Sequence, residues 1–213
     1  MWDFLSARAD QIAFSAWQHL SLVVQCLALA TLIAVGIAAA VYRSRPLTSL
    51  ANSVSAIGLT IPAFALVGLL IAPLGFGVAP AVAVVTFFAT LPILRNAVVG
   101  LAGIDPAVVE SARGIGMGRM RTLLRVELPL AWPVILGGIR VSAQMVMGIA
   151  AVAAYVLGPG LGGFIFSGLS RLGGANSTES VLTGVVGVVL LALLLDLVLV
   201  GLGRLTTPRG IRV

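Results

Sequence analysis

The sequence predicts an all-α integral membrane protein: five transmembrane helices, an N-terminal interfacial helix, and a short helix held below the membrane between the third and fourth crossings. Three observations carry that prediction. Of the 213 residues, 60% are hydrophobic and only 9% are charged, against roughly 25% charged in soluble domains. So few charges cannot cover a water-facing surface. The mean hydropathy is +1.15. Apolar runs long enough to span a bilayer, about 20 residues as a helix, recur five times between polar breaks.

Residues 1–19 read as an amphipathic helix in the outer membrane interface. Trp2, Leu5, Ala9, Ile12, Ala16 and Leu20 recur at helical spacing, and Trp2 and Trp17 suit headgroup depth. A frayed tail is the plainer alternative. Asp3 stands where a secretory leader carries positive charge, so a cleaved leader is not expected.

The transmembrane body is expected over 20–205. Its first crossing occupies 20–41, apolar except for Ser21, Gln25, Cys26 and Thr31, and ends at Tyr42-Arg43-Ser44-Arg45-Pro46. The second covers 54–72 with Pro62 inside it, and 73–77 forms a turn. The third covers 78–99, with Pro80 near its start and Pro92 late. A charged stretch, 105–127, precedes the fourth crossing at 132–157. A glycine-rich segment at 158–174 leads to the fifth at 181–203, and a basic tail closes the chain at 206–213.

Orientation follows from arginine. All thirteen basic residues are arginine. Five crossings place ten of them on one side, at 43, 45, 95, 113, 119, 121, 125, 204, 209 and 212, and only Arg8 and Arg171 on the other, with Arg140 inside the fourth crossing. The positive-inside bias makes the arginine-rich side cytoplasmic. The N-terminus and the glycine-rich segment are then outside and the C-terminus inside. The net charge of +6 is read as this topology signal, not as nucleic-acid binding.

Several functions are excluded by count. Without lysine there is no P-loop lysine and no Schiff base. His19 and Cys26 are the only residues of their types, so a multi-ligand His/Cys metal site, a Cys–His nucleophile pair and an internal disulfide all fail. No catalytic residue and no metal ligand is assigned.

The loop at 105–129 carries the functional signal. Asp105 is placed to N-cap a helix and Pro106 suits its first position. Val108, Ala112 and Ile115 make one apolar stripe, Glu110 and Arg113 stand on another face, and Gly114, Gly116 and Gly118 end the helix. Residues 119–127 form a second amphipathic stretch before Pro129 and Pro133. A compact helix of this kind, held below the membrane, suits docking against another protein.

Glu110-Ser111-Ala112, then Gly116, then Val126-Glu127-Leu128-Pro129 after nine residues, resembles the EAA loop of binding-protein-dependent ABC importer permeases, with Ser111 in place of alanine and Val126 in place of isoleucine. The resemblance implies a type I importer permease fold. It also implies that Glu110, Ser111, Ala112, Gly116, Leu128 and Pro129 couple to a separate ATPase, which itself binds ATP and magnesium; this chain holds no cofactor. Further segments resemble the osmoprotectant branch, which carries glycine betaine, choline, carnitine and proline. They are Thr60-Ile61-Pro62-Ala63-Phe64-Ala65-Leu66, Leu91-Pro92-Ile93-Leu94-Arg95-Asn96, Gly137-Gly138-Ile139-Arg140 and residues 158–166. The branch usually has serine where Ala63 stands, and Pro159 interrupts the usual glycine pattern. The implied partners are the ATPase, an external substrate-binding protein, a second permease subunit (identical or homologous) and membrane lipid.

Within the crossings, Pro62 and Pro92 remove backbone hydrogen bonds and are either flexing points or static kinks. The candidate translocation path comprises Pro62, Phe64, Gln144 and Tyr155. Quaternary ammonium groups favour aromatic faces, so Phe64, Phe87, Phe88 and Tyr155 either line a path or pack blandly. Gln144 either faces the path or bonds across helices. Asp196 reads as a structural pair with Arg140 or Arg204 in preference to a proton relay. An ABC permease for methionine or another amino acid is the near alternative, and an ATP-independent transporter or channel the remoter one.

Overall fold

The computed structural model describes residues 1–207, all helices and connecting turns. Among the described residues, four helices are long and apolar enough to cross a membrane: α2 (Ala9–Val41), α5 (Val78–Ala102), α8 (Leu128–Ala153, extended by turns at both ends) and α10 (Ser177–Thr206). A fifth crossing is counted when α3 (Arg45–Gly58) and α4 (Ala63–Leu74), bent by 94° at their junction, are taken as one span. Shorter helices complete the chain: α1 (Trp2–Ala7), α6 (Pro106–Gly114), α7 (Arg119–Thr122) and α9 (Gly162–Leu169). The all-α class is as expected.

α5 is the central post, packed chiefly against α8 and α2. Small residues permit this in an apolar medium, where association depends on close packing and interhelical hydrogen bonds. A Cβ on Gly100 would lie 3.2 Å from the Ala131 carbonyl oxygen, so glycine sets the approach of α5 to α8. Ser142, fully buried, donates across the same interface to the Ala89 carbonyl at 2.7 Å. α10 does the opposite. Val186, Leu190, Leu193 and Leu197 are exposed along it, as lipid-facing residues should be.

Three local expectations change. The N-terminal helix does not stop at residue 19. The chain breaks at Arg8 (φ −125°, ψ 17°), and α2 then runs unbroken from Ala9 into the span, because neither glycine nor proline occurs between residues 9 and 35. His19, fully buried, lies with Nε2 3.1 Å from the Met147 carbonyl and fixes that stretch to α8. Leu5, Ile12 and Ala16 pack with Phe4, Leu161 and Phe164, so half of the amphipathic stripe covers the start of α9. Trp2 and Trp17 remain exposed.

Pro62 lies outside any helix interior. It is the N-cap residue of α4 (φ −63°, ψ 121°), and the residue before a proline is steered away from the helical region. The expected second crossing is therefore split over residues 59–62. Pro92, in contrast, is inside α5 and buried, with its carbonyl accepting from Asn96 Nδ2 at 2.9 Å. The glycine-rich segment contains the helix α9, whose Gly162 presses so tightly on the Ala151 carbonyl that any side chain would collide with it. Of the basic tail, Thr206 and Thr207 are described; Arg209 and Arg212 lie outside the described residues.

Candidate functional site

The loop between α5 and α8 is built as its sequence dictates. Asp105 caps α6, its Oδ1 accepting from the Ala107 amide at 2.9 Å, with Pro106 opening the helix. At the other end, the Gly116 amide donates to the Arg113 carbonyl at 2.9 Å and the Met117 amide to the Ala112 carbonyl at 3.1 Å. This is a Schellman closure, which requires a left-handed residue at Gly116, and φ there is +85°. Gly116→Val places a β-branched side chain in that conformation and is expected to cost about 1–2 kcal/mol locally. Hydrogen exchange over residues 106–118 should rise in that variant and stay near wild type in Gly116→Asn.

Within α6, Ala112 is buried, while Glu110 and Ser111 are exposed. Ser111 Oγ donates back to the Ala107 carbonyl at 2.7 Å. Among the described residues, Glu110 makes no ion pair with Arg113. Val108 and Ile115 are 39% and 77% exposed, so two members of the apolar stripe are left open around a free carboxylate. Leu128 and Pro129 stand apart at the first turn of α8, with Leu128 packed against the core. The six loop residues thus form an exposed cap and an anchored base.

Joining them is a residue that sequence reasoning passed over. Glu127 ends a π-helical turn (Leu123–Glu127) and is 2% exposed. Its carboxylate accepts from the Tyr42 hydroxyl at 2.7 Å and from Arg43 Nη2 at 3.0 and 3.2 Å. The bond locks the end of α2 to the start of α8. The available signal was a carboxylate between Val126 and Leu128, with Tyr42 and Arg43 at another helix end on the same predicted side. Burial, and then the Glu127 carboxylate beside it, push the Tyr42 phenol up to about 12. Because the folded state holds the proton more tightly than the unfolded chain, this contribution is complete below pH 10 and is lost as pH rises towards about 12. Ultraviolet titration should show a late-ionising phenol that Glu127→Gln shifts earlier.

The same end of the molecule carries a cavity of about 830 Å³ lined by Arg43, Arg45 and Arg95 with Thr48, Ser49 and Asn52. Arginines from two separate stretches of chain, 43–45 and α5, therefore gather near the base of the loop.

The four path candidates do not form one cluster. Phe64 and Tyr155 meet, with ring centroids 4.7 Å apart, and Tyr155 also meets Phe166 at 5.6 Å. Pro62 is exposed two residues before Phe64. Gln144, on α8, is eleven positions before Tyr155, in the turn that follows it, about 16 Å at 1.5 Å per residue. Its Nε2 donates to Asp196 Oδ1 at 3.3 Å, across the helices. Asp196 accepts from Arg140 Nε and Nη2, both at 2.9 Å, the structural pair favoured from sequence. Phe88 is buried, and Phe87 packs edge-on against it at 5.2 Å, so these two belong to the core. Among the described residues, no three His, Cys, Asp or Glu side chains are grouped to hold a metal.

The fold is similar to that of the MetNI methionine ABC transporter in an inward-facing conformation, with a TM-score of 0.77 over 92% of this chain and 96% of that chain at 21% identity. In sequence, the chain is 37% identical over 215 residues to the osmoprotectant import permease protein OsmW of Salmonella typhimurium, covering 98% of each. It is 33% identical over 212 residues to the glycine betaine/carnitine/choline transport system permease protein OpuCB of Bacillus subtilis, covering 100% of this chain and 96% of the relative. A choline transport system permease protein, OpuBB, of the same organism is 34% identical over 210 residues, covering 99% and 95%. Residues 32–208 match the family described as the binding-protein-dependent transport system inner membrane component. The resemblance read from the loop motif is borne out: this chain belongs to that family of transport permeases.

Proposed function

We propose that the chain is the membrane permease subunit of an ATP-driven importer for osmoprotectants of the glycine betaine, choline and carnitine type. The observation that carries the reading is α6, a helix capped at both ends that presents Glu110, Val108 and Ile115 to a partner. The chain has no P-loop lysine, so the partner is an ATPase subunit that binds ATP and magnesium. The arginine-rich end, with α6, faces the cytoplasm, and the N-terminus faces outward, where an external binding protein delivers the substrate. A second permease, identical or homologous, completes the path. The kinship with OsmW, OpuCB and OpuBB supports this cargo.

The test is uptake of labelled betaine, choline, carnitine, proline and methionine into proteoliposomes holding this chain with its ATPase and binding protein. ATP-dependent uptake of quaternary amines is the expected result. Uptake of methionine alone would retain the machine and overturn the cargo, and uptake indifferent to ATP would overturn both.

A further inference from the structure

Phe64, Tyr155 and Phe166 come from three separate elements: the start of α4, the 3-10 turn Ala154–Val156 after α8, and α9. Their rings meet in sequence, tilted by 53° and 59° at centroid distances of 4.7 and 5.6 Å. Tilted pairs of this kind satisfy the ring quadrupoles against each other while leaving outward faces open. Phe64 is 50% exposed and Tyr155 is 53% exposed. The Tyr155 hydroxyl makes no hydrogen bond among the described residues.

The cluster sits at one end of the spans. The Gly77 amide, just before α5, donates to the Val156 carbonyl at 2.7 Å. Gly158 packs against Ala81 in the first turn of α5. In the orientation proposed above, this is the outer end, where substrate arrives.

Choline, carnitine and glycine betaine share one group, the trimethylammonium. It is permanently charged, carries no N–H, and cannot be held by hydrogen-bond acceptors in the usual way. An aromatic face within about 6 Å attracts it through the ring quadrupole, without placing an unpaired carboxylate in the membrane. Asp196, the carboxylate nearest in character to a counter-ion within the spans, is occupied by Arg140.

We propose that Phe64, Tyr155 and Phe166 form a receiving station for the trimethylammonium group at the outer mouth of the path. The inference rests on the osmoprotectant reading above. It assigns to the permease itself a recognition step separate from that of the external binding protein.

The test uses the intact permease–ATPase complex in lipid nanodiscs without binding protein. Saturation-transfer NMR follows the N-methyl signal of choline and, in parallel, the tert-butyl signal of its neutral carbon isostere, in which C(CH3)3 replaces trimethylammonium. Choline should receive saturation and the isostere much less. Phe64→Leu and Tyr155→Leu should weaken choline binding about two- to thirtyfold, whereas Phe64→Tyr and Tyr155→Phe should retain it and guard against loss of folding. Equal transfer to choline and isostere would reduce the cluster to apolar packing and overturn the proposal. So would absence of transfer in the wild type, or binding unchanged in the leucine variants. Failure of the importer reading is separately visible, as absence of ATP-driven quaternary-amine uptake by wild-type proteoliposomes.

Discussion

Glu110→Ala should reduce ATP-driven uptake by about tenfold or more and release the co-purifying ATPase, since truncating a charge within an interface typically costs 2–5 kcal/mol. The expectation follows from the placement of Glu110. Its side chain is exposed, is unpaired with Arg113 and lies on a helix held rigid at both ends. For the same reason the permease should lose little stability, within about 0.5 kcal/mol as for ordinary surface substitutions. Uptake, ATPase attachment and thermal unfolding are to be measured on one preparation. Wild-type uptake with the ATPase still attached would remove α6 from the coupling role.

Glu127→Ala should act on stability first. It leaves Arg43 without its carboxylate and the Tyr42 hydroxyl without its acceptor, and breaking a buried pair on one side costs about 3–5 kcal/mol. The Arg43 side chain keeps 24% of its exposure, which allows partial rehydration and places the expected loss near the lower bound, about 3 kcal/mol. Detergent-solubilised protein should show a clearly lower unfolding midpoint for Glu127→Ala and a smaller drop for Glu127→Gln. Replacing Arg43 and Glu127 together with apolar residues should recover part of the loss. An unchanged midpoint in the alanine variant would mean that the α2–α8 lock contributes nothing.

The contrast between these two glutamates shows what could be read beforehand. Glu110 announced itself through its neighbours, because Asp105, Pro106 and Gly116 mark both ends of a short helix by local chemistry alone. Glu127 lies in the same loop and looked like one more charge in an amphipathic stretch. Its burial depends on Tyr42 and Arg43, 85 and 84 positions away. The pairing of Asp196 with Arg140 was anticipated because an isolated acid within a span needs a partner. The 94° turn between α3 and α4 was not, since a proline within an apolar run is compatible with both a kink and a break.

Composition and apolar run length determined the class of the protein and the approximate places of its crossings, and the resemblance of the loop motif pointed to its family, because each is a property of residues close together in the chain. Tertiary structure alone decided that α2 continues through residue 19, that the glycine-rich segment holds α9, that Glu127 is a buried lock, and that Tyr155 meets Phe64 and Phe166. These outcomes depend on which surfaces come together across tens of residues. In a bilayer, where apolar side chains are at home on any face, hydrophobic pattern does not say which face turns inward. Close packing of small residues and a few interhelical hydrogen bonds make that choice, and their partners are found only in the folded chain.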